Sequence, residues 1–143
     1  MRGKINDIRG DFQMKPQRLI DLADEARRSA YSPYSDFCVG AALLCEDGSV
    51  YTGCNIENAS FTPTCCAERV AIFKAVSEGK RDFRAIAVVG GERGKEPREL
   101  CYPCGVCRQV MAEFASPELE VYFFDGSHTT LGELLPKSFS LKK

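Results

Sequence analysis

Five of the eight cysteines stand where type and spacing set metal binding or catalysis beside packing as readings. Cys65 and Cys66 lie in the run Thr64-Cys65-Cys66-Ala67-Glu68-Arg69, and Cys101, Cys104 and Cys107 lie in Cys101-Tyr102-Pro103-Cys104-Gly105-Val106-Cys107. Cys104 and Cys107 are three apart at the head of an expected helix, so both thiols share one face and can grip one ion. Alone, such a pair is equally a redox couple or half of a structural zinc site. A third ligand decides between them, and Cys66, with Cys65 beside it, occupies the start of another expected helix. Three protein ligands leave the fourth position of a tetrahedral zinc ion open to water, as a catalytic site requires. Both helix N-termini direct partial positive charge at the ion and favour thiolates. Glu68 has a plainer reading as a helix N-terminal acid, worth about 0.3 to 1 kcal/mol. Beside three candidate zinc ligands, a role in moving protons outweighs it.

The elements that must position these residues follow from the rest of the chain. At 143 residues it is one domain of ordinary size, with 44% hydrophobic and 27% charged residues. A net charge of -1 provides no basic footprint for a nucleic-acid backbone, so no nucleic-acid partner is expected. No apolar run approaches the roughly 20 residues of a membrane helix. The first 15 residues read as a polar extension without the apolar centre of a signal peptide, followed by a single domain over 16–143. The expectation is a cytoplasmic protein whose thiols stay reduced, with Cys38, Cys45 and Cys54 as buried apolar side chains.

Pro16 opens a helix expected to run to about Ala30, with an apolar stripe from Leu19 to Ala26. Two strands, Phe37 to Leu44 and Val50 to Glu57, flank an Asp47-Gly48 turn and predict a hairpin. A helix then starts at Cys66, with Val70, Phe73, Ala75 and Val76 on one side and Gly79 as its stop. Ala85 to Gly91 reads as a buried strand. Pro103 fits the first turn of a further helix that must end before Ser116-Pro117. A second hairpin around Asp125-Gly126 and a short tail complete an α/β chain with helices on both faces of its sheet.

The segments "YSPYSDFCVGAAL", "GCNIENASF", "CAERVAIFKAVSEG", "PCGVCRQVMAEF" and "ELLPKSF" together resemble the zinc-dependent cytidine deaminase family over roughly Arg18 to Phe139. The resemblance implies a three-layer α-β-α sandwich with a mixed sheet of about five strands. It also implies one zinc ion per subunit, held by Cys66, Cys104 and Cys107. Cys66 is chosen over Cys65 because it stands two residues before Glu68; Cys65 and Cys101 fall outside the motif. Glu68 is implied as the proton carrier while hydroxide attacks C4 of the pyrimidine. Three thiolates leave the zinc unit electron-rich, and Arg69 is implied to offset that charge at the ligand sulfurs. The only histidine, His128, is expected to be exposed in the second hairpin, so a His-x-Glu site is ruled out.

The same resemblance implies that Asn55 and Glu57, read as alternating positions on one strand face, bind the ribose 3'-hydroxyl. Phe37 packs on the base, Ala67 presents its backbone to it, and the Tyr102 carbonyl meets the amino group. Phe139 reaches a neighbouring subunit's site in a homotetramer. Tyr102 stands where the family commonly has Ser, and Phe61 where it frequently has Tyr. The implied reaction is deamination of cytidine and 2'-deoxycytidine in pyrimidine salvage. Rival readings are a deaminase of a modified or antibiotic nucleoside, a polynucleotide deaminase disfavoured by charge, and a zinc-stabilised binding module with four ligands.

Overall fold

A computed structural model describes residues 14–142. Most of the expected polar extension lies outside the described residues, although Met14 packs against the core. The elements are α1 (Pro16–Ala26), β1 (Phe37–Cys45), β2 (Val50–Cys54), α2 (Ala67–Ser77), β3 (Phe83–Glu92), α3 (Gly105–Phe114), β4 (Glu120–Tyr122), β5 (His128–Thr130) and α4 (Leu131–Leu134). The strands form one mixed sheet in the order β2-β1-β3-β4-β5. Only the β3–β4 pair is parallel. The three-layer sandwich expected from the sequence is thus the observed architecture.

Strand alternation creates two cores, one on each sheet face. Leu43 of β1 and Ile86 and Val88 of β3 face α2 and α3, whereas Ala42, Leu44, Ala87 and Val89 face α1. Leu19, Ile20 and Ala23 of α1 cover the second face, and each fully buried Leu or Ile contributes about 1.5 to 3 kcal/mol. This division matters for function, because the thiol-bearing helices both lie on the first face. Both predicted hairpins are present as antiparallel pairs, β1–β2 and β4–β5. Among the described residues, no helix is long and apolar enough to cross a membrane.

Several boundaries differ from expectation, for local reasons. The first helix ends at Ala26 and tightens into a 3-10 turn over Arg27–Ser29. Pro103 precedes the helix, because Cys104 is the extended N-cap of α3. The expected stripe on α2 is met at Ala75, which is buried, and at Val76, which packs on the core, but not at Phe73. Ala67, Ala71, Ile72 and Ala75 are buried there, while Phe73 is 47% exposed. The first turns of the helix lie close against β2. A Cβ on Gly53 would stand 2.5 Å from the Ala67 carbonyl oxygen and 2.6 Å from the Ala71 nitrogen.

Candidate active site

Helices α2 and α3 begin at matching places on the same sheet face, and their N-caps are Cys66 and Cys104. Both N-caps are extended, and neither thiol is spent on capping its own helix. The thiols converge instead. The Sγ atoms of Cys66, Cys104 and Cys107 all lie within 4.8 Å of one another, with Cys66 and Cys104 3.8 Å apart. Two sulfurs bound tetrahedrally to zinc at about 2.3 Å stand about 3.8 Å from each other, so the spacing fits that ion. Cys107 is buried, Cys66 half-buried and Cys104 exposed, which gives the triad a closed side and an open one.

Electrostatics around the triad favour a thiolate at Cys66. Interaction with the Cys107 thiol lowers its pKa, against the effect of burial, and Arg69 and Cys104 lower it further. Cys107 is raised in turn, chiefly by that same contact and then by burial. Arg69 donates from Nη2 to Cys66 Sγ at 3.5 Å and to the Thr64 carbonyl oxygen at 3.4 Å. Its own pKa is raised first by the Cys66 contact. Its buried Nε has no hydrogen-bond partner among the described residues.

Glu68 is only 3% exposed in the first turn of α2. Burial pushes its carboxyl up to about 7, the Cys66 charge adds to the rise, and Arg69 opposes it. A carboxyl poised near neutrality can both accept and return a proton. Cys65 takes no part in the triad. Its backbone N–H and carbonyl pair with Ile56, and burial raises its thiol pKa. Cys101 is likewise outside the triad, with burial pushing its thiol up to about 12.

Asn55 and Glu57 lie just beyond β2, which ends at Cys54, so they are not on a continuous strand as expected. Asn55 N still donates to the Val39 carbonyl oxygen at 3.1 Å, and the Asn55 side chain supplies the return bond. Its Nδ2 donates to the Phe37 carbonyl oxygen at 2.9 Å, and its Oδ1 accepts from Val39 N at 2.9 Å. Glu57 Oε1 accepts from the Tyr34 and Ser35 nitrogens at 2.9 and 3.2 Å, and Oε2 accepts from Ser35 Oγ at 2.5 Å. Ser35, followed by burial acting the other way and the two backbone donors, holds the Glu57 carboxyl below its usual range. Ser35 also accepts from Phe37 N at 3.0 Å. Sequence reading did not single out Ser35, although it stands in the "YSPYSDF" segment.

Phe37 opens β1 half-exposed, and Gly90 of the neighbouring strand makes room for its ring. A Cβ on Gly90 would meet Phe37 Cε2 and Cys101 Sγ, each at 2.8 Å. Ala67 is fully buried at the start of α2. The Tyr102 ring is turned onto Phe123, edge-on at 5.0 Å between centroids. Phe61 and Phe139 are 85% and 67% exposed and are not part of this cluster in the single chain. The Phe139 backbone is tethered to α3, where Gln109 Nε2 donates to its carbonyl oxygen at 3.4 Å. His128 is exposed, as expected.

A mixed sheet that carries three convergent thiols at two helix heads, with a buried carboxyl beside them, defines a zinc-site α/β protein. The chain belongs to the cytidine and deoxycytidylate deaminase family, whose zinc-binding region matches residues 13–123. It is 50% identical over 131 residues to the cytidine deaminase of Sporosarcina psychrophila, covering 89% of this chain and 93% of that one. It is 53% identical over 131 residues to the cytidine deaminase of Halalkalibacterium halodurans, covering 89% and 96% respectively. Among solved structures, the cytidine deaminase from Burkholderia pseudomallei superposes with a TM-score of 0.80 at 48% identity. That match covers 88% of this chain and all of the other.

Proposed function

We propose that this protein catalyses zinc-dependent hydrolytic deamination of cytidine and 2'-deoxycytidine, giving uridine or 2'-deoxyuridine and ammonia. The observation that carries the reading is the triad of thiols within 4.8 Å of one another, beside a buried Glu68. Cys66, Cys104 and Cys107 hold the zinc ion, one per chain. When bound, zinc supplies the Lewis acidity that brings the pKa of water to about 7. Glu68 takes a proton as water oxygen adds to C4 and delivers one to N3 of the ring. It then takes the remaining water proton from the C4 hydroxyl and passes it to the amino nitrogen, so that the C4–N bond breaks, ammonia leaves and the carbonyl of the product forms. Arg69 offsets the negative charge of the thiolates through its contact with Cys66.

Substrate binding follows from the hydrogen bonds left unused. Asn55 Nδ2 carries a second N–H, and Glu57 Oε2 keeps a free lone-pair direction, so one donor and one acceptor meet the ribose 3'-hydroxyl. Phe37 lies against the base, the Ala67 backbone hydrogen-bonds it, and the Tyr102 carbonyl oxygen receives the amino group. The Tyr102 ring is turned edge-on against Phe123, which supports room for that contact. Phe139 of a neighbouring subunit closes the site in a homotetramer. The exposed Phe61, Phe139 and Leu141 side chains support such an assembly. The cysteines are free thiols, which suits the cytoplasm.

The test is a panel of cytidine, 2'-deoxycytidine and modified or antibiotic aminopyrimidine nucleosides, incubated with zinc-loaded protein. Uridine and ammonia in equal amounts are expected from cytidine. Consumption of the modified nucleosides alone would assign the site to that rival chemistry.

A further inference from the structure

The turn that enters β1 is gripped from two sides, and only one of them belongs to the site described so far. On one side, Glu57 accepts from the Tyr34 and Ser35 nitrogens and from Ser35 Oγ, and Ser35 in turn accepts from Phe37 N. Between Ser35 and Phe37 stands Asp36, with φ 58, in the left-handed region that non-glycine residues rarely occupy. Its backbone N–H donates to the Ser32 carbonyl oxygen at 2.9 Å. Asp is among the more tolerant residues there, but something must hold it.

Arg93 does so from the other side. It follows directly on β3, whose last residue, Glu92, is paired with Phe37. Arg93 N donates to the Asp36 carbonyl oxygen at 3.0 Å, and its Nε donates to Asp36 Oδ1 at 2.9 Å. Its Nη2 donates to Ser32 Oγ at 2.9 Å, so one guanidinium spans both ends of the turn. Ser32 is buried and fixes the far end of the span. We infer that Arg93 is a positioning residue for the nucleoside pocket, clamping the left-handed turn at Asp36 so that Phe37 and the Ser35–Glu57 pair keep their places. This rests on the reading that Phe37 and Glu57 receive the nucleoside.

The hydrogen-bond pattern matters here more than the charge. The Arg93 and Asp36 side chains are 46% and 71% exposed, and an ion pair that open to water is worth little by itself. A planar guanidinium can reach two acceptors at once, which a lysine ammonium on its flexible stem cannot reproduce. Asparagine at position 36 keeps an acceptor oxygen and tolerates the left-handed conformation. Among the described contacts, Arg93 makes none with the thiol triad or with Glu68, so it acts on binding rather than on the chemical step.

The experiment compares Arg93→Ala, Arg93→Lys, Asp36→Ala and Asp36→Asn in zinc-loaded protein. The readouts are KM and kcat for cytidine, and the Kd for uridine by calorimetry. In Arg93→Ala, Arg93→Lys and Asp36→Ala, KM and Kd are expected to rise about tenfold, with kcat within about twofold and zinc content unchanged. Asp36→Asn is expected to stay within about threefold of wild type, and the double alanine variant to show no further rise over either single one. A lower melting temperature with unchanged KM and Kd would make Arg93 merely structural and overturn the inference. So would full rescue by lysine. Wild-type protein that binds uridine but leaves cytidine intact would instead overturn the reading of the reaction.

Discussion

Replacing Gly53 with alanine perturbs the active site through the backbone of α2, without replacing any residue of the site. The new Cβ would stand 2.5 Å from the Ala67 carbonyl oxygen, 2.6 Å from the Ala71 nitrogen and 3.0 Å from the Val70 Cβ. The first two are backbone atoms of α2, so no side chain can rotate away. Restoring ordinary contact distance moves the head of the helix by about 1 Å, and overpacking of this kind costs about 1 to 3 kcal/mol. For a domain of this size that corresponds to a fall in Tm of roughly 3 to 10 °C. The helix carries Cys66 at its N-cap and Glu68 in its first turn. A displacement of about 1 Å in a catalytic group costs about a hundredfold in rate. Thermal unfolding and kcat/KM for uridine formation are measured together, with zinc content as the third readout. Wild-type Tm and full activity in Gly53→Ala would refute the claim that the close β2–α2 contact sets the position of Glu68.

Two further variants separate the adjacent cysteines. Cys66→Ala should lose zinc, whereas Cys65→Ala should keep close to one ion per chain; equal loss from both would overturn the choice of ligand. A pH effect is expected at the first hairpin. Asp47 accepts from Lys80 Nζ at 2.6 Å and from Ser49 N and Oγ at 2.9 and 2.6 Å, and these contacts, Lys80 foremost, hold its carboxyl far below the usual range. The folded chain therefore releases this proton more readily than the unfolded chain. The stabilisation is fully present above the ordinary carboxylate pKa of about 4 and is lost as pH falls towards the folded value. Asp47→Asn should lower Tm at pH 7 and have a smaller effect at pH 3; an equal effect at both would remove the charge from the explanation.

Spacing pointed to the thiol cluster, and the family resemblance chose Cys66 over Cys65 within it. Cys104 and Cys107 share a helix face, and a third thiol at another helix head completes a zinc set whose observed sulfur spacing suits the ion. The hairpins were legible because Asp47-Gly48 and Asp125-Gly126 interrupt apolar strands. The packing of α2 was not. Large residues such as Phe73 dominate any apolar stripe drawn from the sequence, yet the helix buries its alanines because Gly53 permits close approach. The end of β2 was also hidden, since the Asn55 side-chain oxygen, and not its carbonyl, accepts from Val39 N there. Asp36 and Arg93 lie on different strands' ends and far apart in the chain. No local pattern links them, and only the β1–β3 register brings them together.

Glu68→Gln gives the most direct test of the chemistry, because the amide keeps the shape of the side chain and cannot take up the proton. The measurement is the rate of cytidine loss by the variant and the wild type, both loaded with zinc and assayed by absorbance. Wild-type protein should convert cytidine to uridine, while Glu68→Gln, still holding about one zinc per chain, should be slower by at least about a hundredfold, the lower end of what general acid–base catalysis contributes. Turnover by the zinc-loaded variant at the wild-type rate would contradict the assignment of Glu68 as the proton carrier.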